Sequence, residues 1–155
     1  MADYAINNSL GGTLQSITST YKTLVAAYSS ATPRRIKVYD VEMGTNGTPA
    51  DNYMEWDISR QTGVGTATTI IPNPLDPADA AALSIGTANY TGEGTITAAS
   101  SLFYLGINQR ASWRWVCAPG GELVMPATAN NGFAHRSRSG GYTGTATSMV
   151  HFQEQ

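Results

Sequence analysis

The chain has 155 residues, a formal net charge of −2, a single cysteine and only 13% charged residues. That length suits one domain with its own core, with about 7,500 Å² of surface left exposed on folding. One cysteine excludes an intrachain disulfide framework, the slight acidity disfavours binding to phosphate backbones, and no apolar run approaches the ~18 residues that cross a membrane as a helix.

The charge content is about half the ~25% of ordinary soluble domains. Two readings account for it. A β-protein can use Ser, Thr, Asn and Gly as its polar surface, or much of the surface can meet other protein, because charges are depleted in interface cores. Arg supplies seven of the nine positive charges, and Arg is the cation favoured at protein interfaces.

Residues 1–13 read as an N-terminal arm, followed by a single β-sandwich domain over 14–155. The opening lacks the basic start and apolar stretch of a signal peptide. In an isolated monomer a frayed terminus is expected; in an assembly Tyr4, Ile6 and Leu10 are free to seat in a neighbour's groove, with Gly11-Gly12 as a hinge. Leu14 to Tyr28 has the Thr, Tyr, Val and Ile content of a strand, closed by a Thr32-Pro33 turn signal.

Ile36 to Met43 starts as an alternation and then changes phase, which predicts a bulge or apolar cover on both faces. From Tyr53 to Ser59 the period is 2: Met54, Trp56 and Ile58 face the core, while Tyr53, Glu55, Asp57 and Ser59 face the other way. The two runs are predicted to pair, joined by a projecting loop from Gly44 to Asp51 in which Asn46-Gly47 tolerates positive φ and Pro49 fixes a bend. A long loop on a rigid sheet is a good contact point.

The run after Thr62 is a strand broken by glycines and stopped by Pro72 and Pro74. Asp76 as N-cap, Pro77 at the first helical position and the following alanines predict one short connecting helix, ended by Gly86. Thr91-Gly-Glu-Gly-Thr95 echoes Thr62-Gly-Val-Gly-Thr66. Two copies fall short of a solenoid and read as similar solutions to one edge or turn problem.

Leu102 to Ile107 is apolar on both faces, which predicts a central strand with its outer face covered, by a second subunit in the sharper reading. Trp113, Trp115 and Cys117 alternate with Ser112, Arg114 and Val116, and the Trp–Cys face is expected in the core. After turns at Pro119-Gly120-Gly121 and Asn130-Asn131-Gly132, strands run through Phe133–Ser139 and Tyr142–Phe152. About eight to nine short strands with Gly, Pro and Asn punctuation predict an all-β fold, an antiparallel β-sandwich with a jelly-roll-like arrangement.

Chemistry is sparse. One Cys and two separated His, His135 and His151, are too few for a zinc site, and no cofactor is expected. No Gly-x-Ser-x-Gly elbow anchors a hydrolase triad, and the Thr-Gly-Val-Gly-Thr run lacks the Lys of a phosphate loop. Glu55 and Asp57, about 7 Å apart along one strand face, match a glycosidase pair but read more simply as solvated charges. Trp113 and Trp115 flanking Arg114, with the Asn46 loop, offer an alternative as a sugar-stacking platform. The Asn-x-Ser/Thr triplets at Asn7, Asn46 and Asn89 read as chance matches in a Ser/Thr-rich chain.

The runs VYDVEMGTNGTPADNYMEWDISRQTGVGTAT, PNPLDPADAAAL and SLFYLGINQRASWRWVCAPGGEL resemble the head decoration, or cement, proteins of tailed bacteriophages. The resemblance spans about Tyr21 to Gln155 and carries no catalytic signature. It implies a β-sandwich subunit made in the host bacterial cytoplasm. It further implies a homotrimer that sits on the outer surface of an icosahedral virion and clamps neighbouring major capsid proteins, with no nucleic-acid or membrane partner. No family motif fixes the contact residues. Candidates from this sequence are Tyr4 and Ile6 in the arm, Arg34 and Arg35, Asn46 in the loop, Phe103 and Leu105 in the apolar run, and Arg136 and Arg138. The alternative function is a carbohydrate-binding module on a virion surface.

Overall fold

A computed structural model describes residues Met1–Gln155. Two antiparallel sheets pack face to face. One holds β1 (Asp3–Asn7), β2 (Gln15–Ile17), β4 (Ile36–Thr45), β7 (Asn73–Pro74), β10 (Trp113–Val116), β11 (Leu123–Met125) and β13 (Gly144–Glu154). Its order is β10-β4-β13-β1-β7, with β11 also on β4 and β2 also on β13. The other holds β3 (Lys22–Tyr28), β5 (Tyr53–Gly63), β6 (Thr66–Ile70), β8 (Ile85–Gly92), β9 (Thr95–Asn108) and β12 (Gly132–Ser139), in the order β6-β8-β3-β12-β5-β9. The all-β sandwich read from strand spacing is the architecture found, and the folded chain exposes 7148 Å².

The core fills the space between the sheets. Val38, Val41, Val150 and Phe152 come from the first sheet, and Met54, Trp56, Ile58 and Phe133 from the second. The phase change in β4 is a bulge: Val41 pairs with Val150 and Asp40 with His151, but Val38 with Phe152. The extra residue keeps Val38 and Val41 on the inner face although they are three apart, and it turns Asp40 outward.

The Thr-Gly-x-Gly-Thr echo has a direct explanation. Residues 53–70 and 86–108 form one long bent ribbon, pairing Tyr53 with Asn108 at one end, Gly63 with Thr95 and Thr66 with Gly92 at the bend, and Ile70 with Gly86 at the other end. The two echoes face each other at the bend. A Cβ on Gly65 would lie 2.2 Å from the Gly92 carbonyl oxygen, and one on Gly94 would lie 2.5 Å from that of Gly63. Only glycine lets the backbones pass so closely. The bend carries Tyr90 and Ile96 over the outer face of the six-stranded sheet, where Ala26 and Ala134 leave room for the Tyr90 ring in a small second core.

Four expectations are corrected. Residues 3–7 are not an arm: β1 lies between β13 and β7, and Tyr4 and Ile6 are buried in the main core. The runs at Ile36 and Tyr53 do not pair with each other. β4 and β5 belong to opposite sheets, and the loop between them crosses the sandwich. No helix follows Asp76. Its carboxylate accepts from the Ala78 N–H and its carbonyl from the Asp79 N–H, which closes a turn that does not propagate; three alanines cannot repay helix nucleation without a packed face. Finally, Leu102–Ile107 lies in β9, an edge strand and not a central one. Phe103, Leu105 and Ile107 face inward opposite Ile58, Trp56 and Met54, while Tyr104 stands 60% exposed.

Candidate interaction surface

The outer face of the six-stranded sheet concentrates the chain's charge chemistry. On β5 the alternation turns Tyr53, Glu55, Asp57 and Ser59 outward, and β12 sets Arg136 opposite Asp57 and Arg138 opposite Glu55. Arg136 donates to Asp57 Oδ2 from Nε at 2.9 Å and Nη2 at 2.5 Å, and to Ser59 Oγ at 3.1 Å. Ser59 Oγ donates to the same Asp57 oxygen at 2.7 Å. Arg138 is ion-paired to Glu55, and this contact holds the Glu55 carboxyl below its ordinary value.

Tyr21, just before β3, covers both pairs. The Arg136 and Arg138 guanidinium carbons lie 4.7 and 4.9 Å from its ring centroid, within cation–π range. Its hydroxyl donates to Glu55 Oε2 at 3.3 Å. Burial, then the Glu55 charge, pushes the phenol up to about 12. Glu55 and Asp57 are therefore not free solvated charges: each carboxylate is held by an arginine through one of its oxygens.

Tyr53 and Tyr104 flank this lattice, 58% and 60% exposed. Gly140 makes room for one of them: a Cβ there would lie 2.5 Å from Tyr53 Cε1. The result is a rigid patch of Tyr and Arg that continues onto the free edge of β9.

A second feature lies on the outer face of the seven-stranded sheet. The β4 bulge presents Asp40, buried, whose carboxylate accepts from Arg114 Nε at 2.9 Å, Arg114 Nη2 at 2.7 Å and faces His151 Nδ1 at 2.9 Å. The Arg114 hydrogen bonds, and then His151, hold the Asp40 carboxyl below its ordinary value. Arg114 Nε also lies 3.4 Å from Glu42 Oε1. Next to this cluster runs an open groove of about 620 Å³, floored by Gly44 and Thr147.

The candidate residues disperse. Tyr4 and Ile6 are core, so they cannot reach a partner. Arg34 and the exposed Arg35 sit in the loop before β4, where the Arg35 backbone is zipped to Gln155. Asn46 is exposed but tied down, its Oδ1 accepting from Thr145 Oγ1 at 2.6 Å. Phe103 packs at 5.7 Å on Trp115 at the open side of the sandwich, with Leu105 behind it. Arg136 and Arg138 alone share a site, the Tyr21 lattice.

The Trp113–Cys117 face does point between the sheets, yet it is not core. β10 is an edge strand, so Trp113 is half-exposed and Trp115 and Cys117 are partly buried. Tyr21 and Tyr104 escaped the sequence reading because their neighbours across the sheet come from distant strands. Tyr53 was visible there as an outward residue beside Glu55. No group of three or more His, Cys, Asp and Glu side chains is arranged to hold a metal ion. No protein-family model, curated protein or solved structure matches the chain.

Proposed function

We propose that this is a structural decoration protein of a tailed-phage capsid, a homotrimer that binds the outer surface of the virion and ties neighbouring major capsid proteins together. The observation that carries this reading is the Tyr53–Tyr104–Arg138 patch beside the unpaired β9 edge. Tyr and Arg are the side chains that dominate binding hot spots. Here the arginines are already immobilised by Glu55 and Asp57, so little side-chain entropy remains to be lost on docking. The low charge content and the resemblance in sequence pattern point the same way.

The physics suits the task. Three copies in a closed ring use one heterologous contact three times. Three footprints on one rigid body bind with avidity, since the second and third contacts are intramolecular. A protein that binds the assembled shell and not its free subunits stabilises the shell by mass action.

Sedimentation velocity at micromolar concentration and co-sedimentation with expanded shells of the cognate capsid protein test the reading together. A trimer that pellets with shells supports it. A monomer that stays in the supernatant overturns it.

A further inference from the structure

We infer that the groove on the outer face of the seven-stranded sheet is a binding site for a neutral sugar, one or two residues of a glycan, independent of any capsid contact. The groove is built by sequence choices that leave a space. β4 and β13 would normally fill their outer face with side chains, but Gly44 presents none. A Cβ there would meet only Thr147 Oγ1 at 3.4 Å and Ser112 Cβ at 3.6 Å. The gap of about 620 Å³ lies within the roughly 300–1,000 Å³ of small-ligand sites.

Its walls present donors and acceptors at close quarters. Arg114 of β10 and Ser112 just before it stand on one side with Glu42; Asn7 stands on the other, and Thr147 forms the floor. Arg114 uses Nε and Nη2 on Asp40, which leaves Nη1 to donate. Asn7 Oδ1 accepts from the Ser9 N–H at 3.0 Å and Ser9 Oγ at 2.8 Å, which orients the amide and leaves its NH₂ to donate. Glu42 accepts. A ligand that satisfies all three must both donate and accept over a short span, as adjacent hydroxyls do. Met149, also lining the groove, offers an apolar surface for the C–H face of a sugar ring.

Charge selects against anionic ligands. Arg114 is one positive charge facing two carboxylates, Asp40 and Glu42, so an anion meets net repulsion and its natural cation partner is already engaged. The guanidinium is held rigid by a buried, bidentate Asp40 that His151 braces from behind, the kind of support that preorganised sites require. Trp113 also lines the groove, while Trp115 packs on Phe103 away from it.

The test is titration of the ¹⁵N-labelled protein with a panel of neutral disaccharides (maltose, cellobiose, lactose and N,N′-diacetylchitobiose) followed by heteronuclear NMR. Saturable shifts of the Asn7, Gly44, Ser112 and Thr147 amides by at least one sugar at millimolar concentration are expected. Glu42→Ala, at a half-exposed position, and Gly44→Ala, which fills the floor without backbone strain, should each weaken that binding about tenfold, 1.4 kcal/mol, with an unchanged thermal midpoint. No shifts with any member of the panel, shifts confined to other residues, or binding indifferent to both substitutions overturns the inference. So does saturable binding of a tetralysine peptide with no response to sugars.

Discussion

The indole of Trp56 and the imidazole of His135 lie 5.5 Å apart between centroids, tilted by 37°, with both side chains fully buried. One comes from β5 and the other from β12, so the contact joins the two strands at the middle of the six-stranded sheet and faces the core. His135 Nδ1 is 2.6 Å from Ser148 Oγ on the opposite sheet, while His135 Nε2 and Trp56 Nε1 have no partner.

Trp56→Ala removes the largest buried side chain in the molecule and leaves a cavity the rigid sheets cannot close. The expected cost is about 3–5 kcal/mol, read as a loss of unfolding free energy in urea titration. A change of under about 1 kcal/mol would place the ring outside the core.

His135 makes stability depend on pH. Burial pushes its pKa down to about 3 from an ordinary 6.5, with the Asp57 charge opposing in part. The folded state therefore holds the neutral ring while the unfolded chain takes up a proton. Stability from this group is complete above pH 6.5 and is lost as pH falls toward 3, by about 1.4 kcal/mol per pH unit. The lowered carboxyls of Asp40 and Glu55 add their own loss only below their ordinary values of 3.8 and 4.5. Urea titrations between pH 7 and 5 should show the slope in the wild type and a flatter one in His135→Gln, and equal slopes would refute the assignment.

Gly132→Ala should prevent folding. A Cβ there would lie 1.9 Å from the Ala27 carbonyl oxygen and 2.6 Å from Tyr28 Cα, so backbone must move at the β12–β3 register. The cost exceeds the ~1–3 kcal/mol of ordinary overpacking. Soluble, cooperatively unfolding protein from this variant would show that β3 and β12 separate there at little cost.

Tyr104→Ala separates binding from stability. The ring is largely exposed, so the midpoint of unfolding should hold within about 0.5 kcal/mol. Association with copies or with shells, measured by sedimentation, should weaken at least about tenfold, as for a hot-spot tyrosine. Undiminished association would remove the patch from the interface.

Local features were legible in the chain. The alternation of Met54, Trp56 and Ile58 marks the core face of β5, the phase change narrows β4 to a bulge or two-sided apolar cover, of which the bulge is found, and the glycine echoes mark a shared constraint. Pairing was not legible. Ile36–Met43 and Tyr53–Ser59 look like a hairpin because they are adjacent, and nothing local tells a hairpin loop from one that crosses to another sheet. The strand at Leu102 reads as central because its outward Tyr104 counts as apolar, although its hydroxyl makes it tolerable at a wet edge. Tyr4 and Ile6 looked like an arm because five residues are too few to show a period. The Tyr21 lattice and the Gly44 groove depend on contacts between residues far apart in sequence, which only the folded arrangement brings together.

The seven-stranded sheet is joined through one inner strand. β13 lies between β4 and β1 and carries β2 on its flank, so without residues 144–154 β2 has no partner and the β1–β7 pair is cut off from β4. Closing the sheet brings Asp3 to Gln153, a long-range pairing of the kind that forms slowly. A chain truncated before Gly144 would yield aggregate through its bare strand edges, not a shortened sandwich.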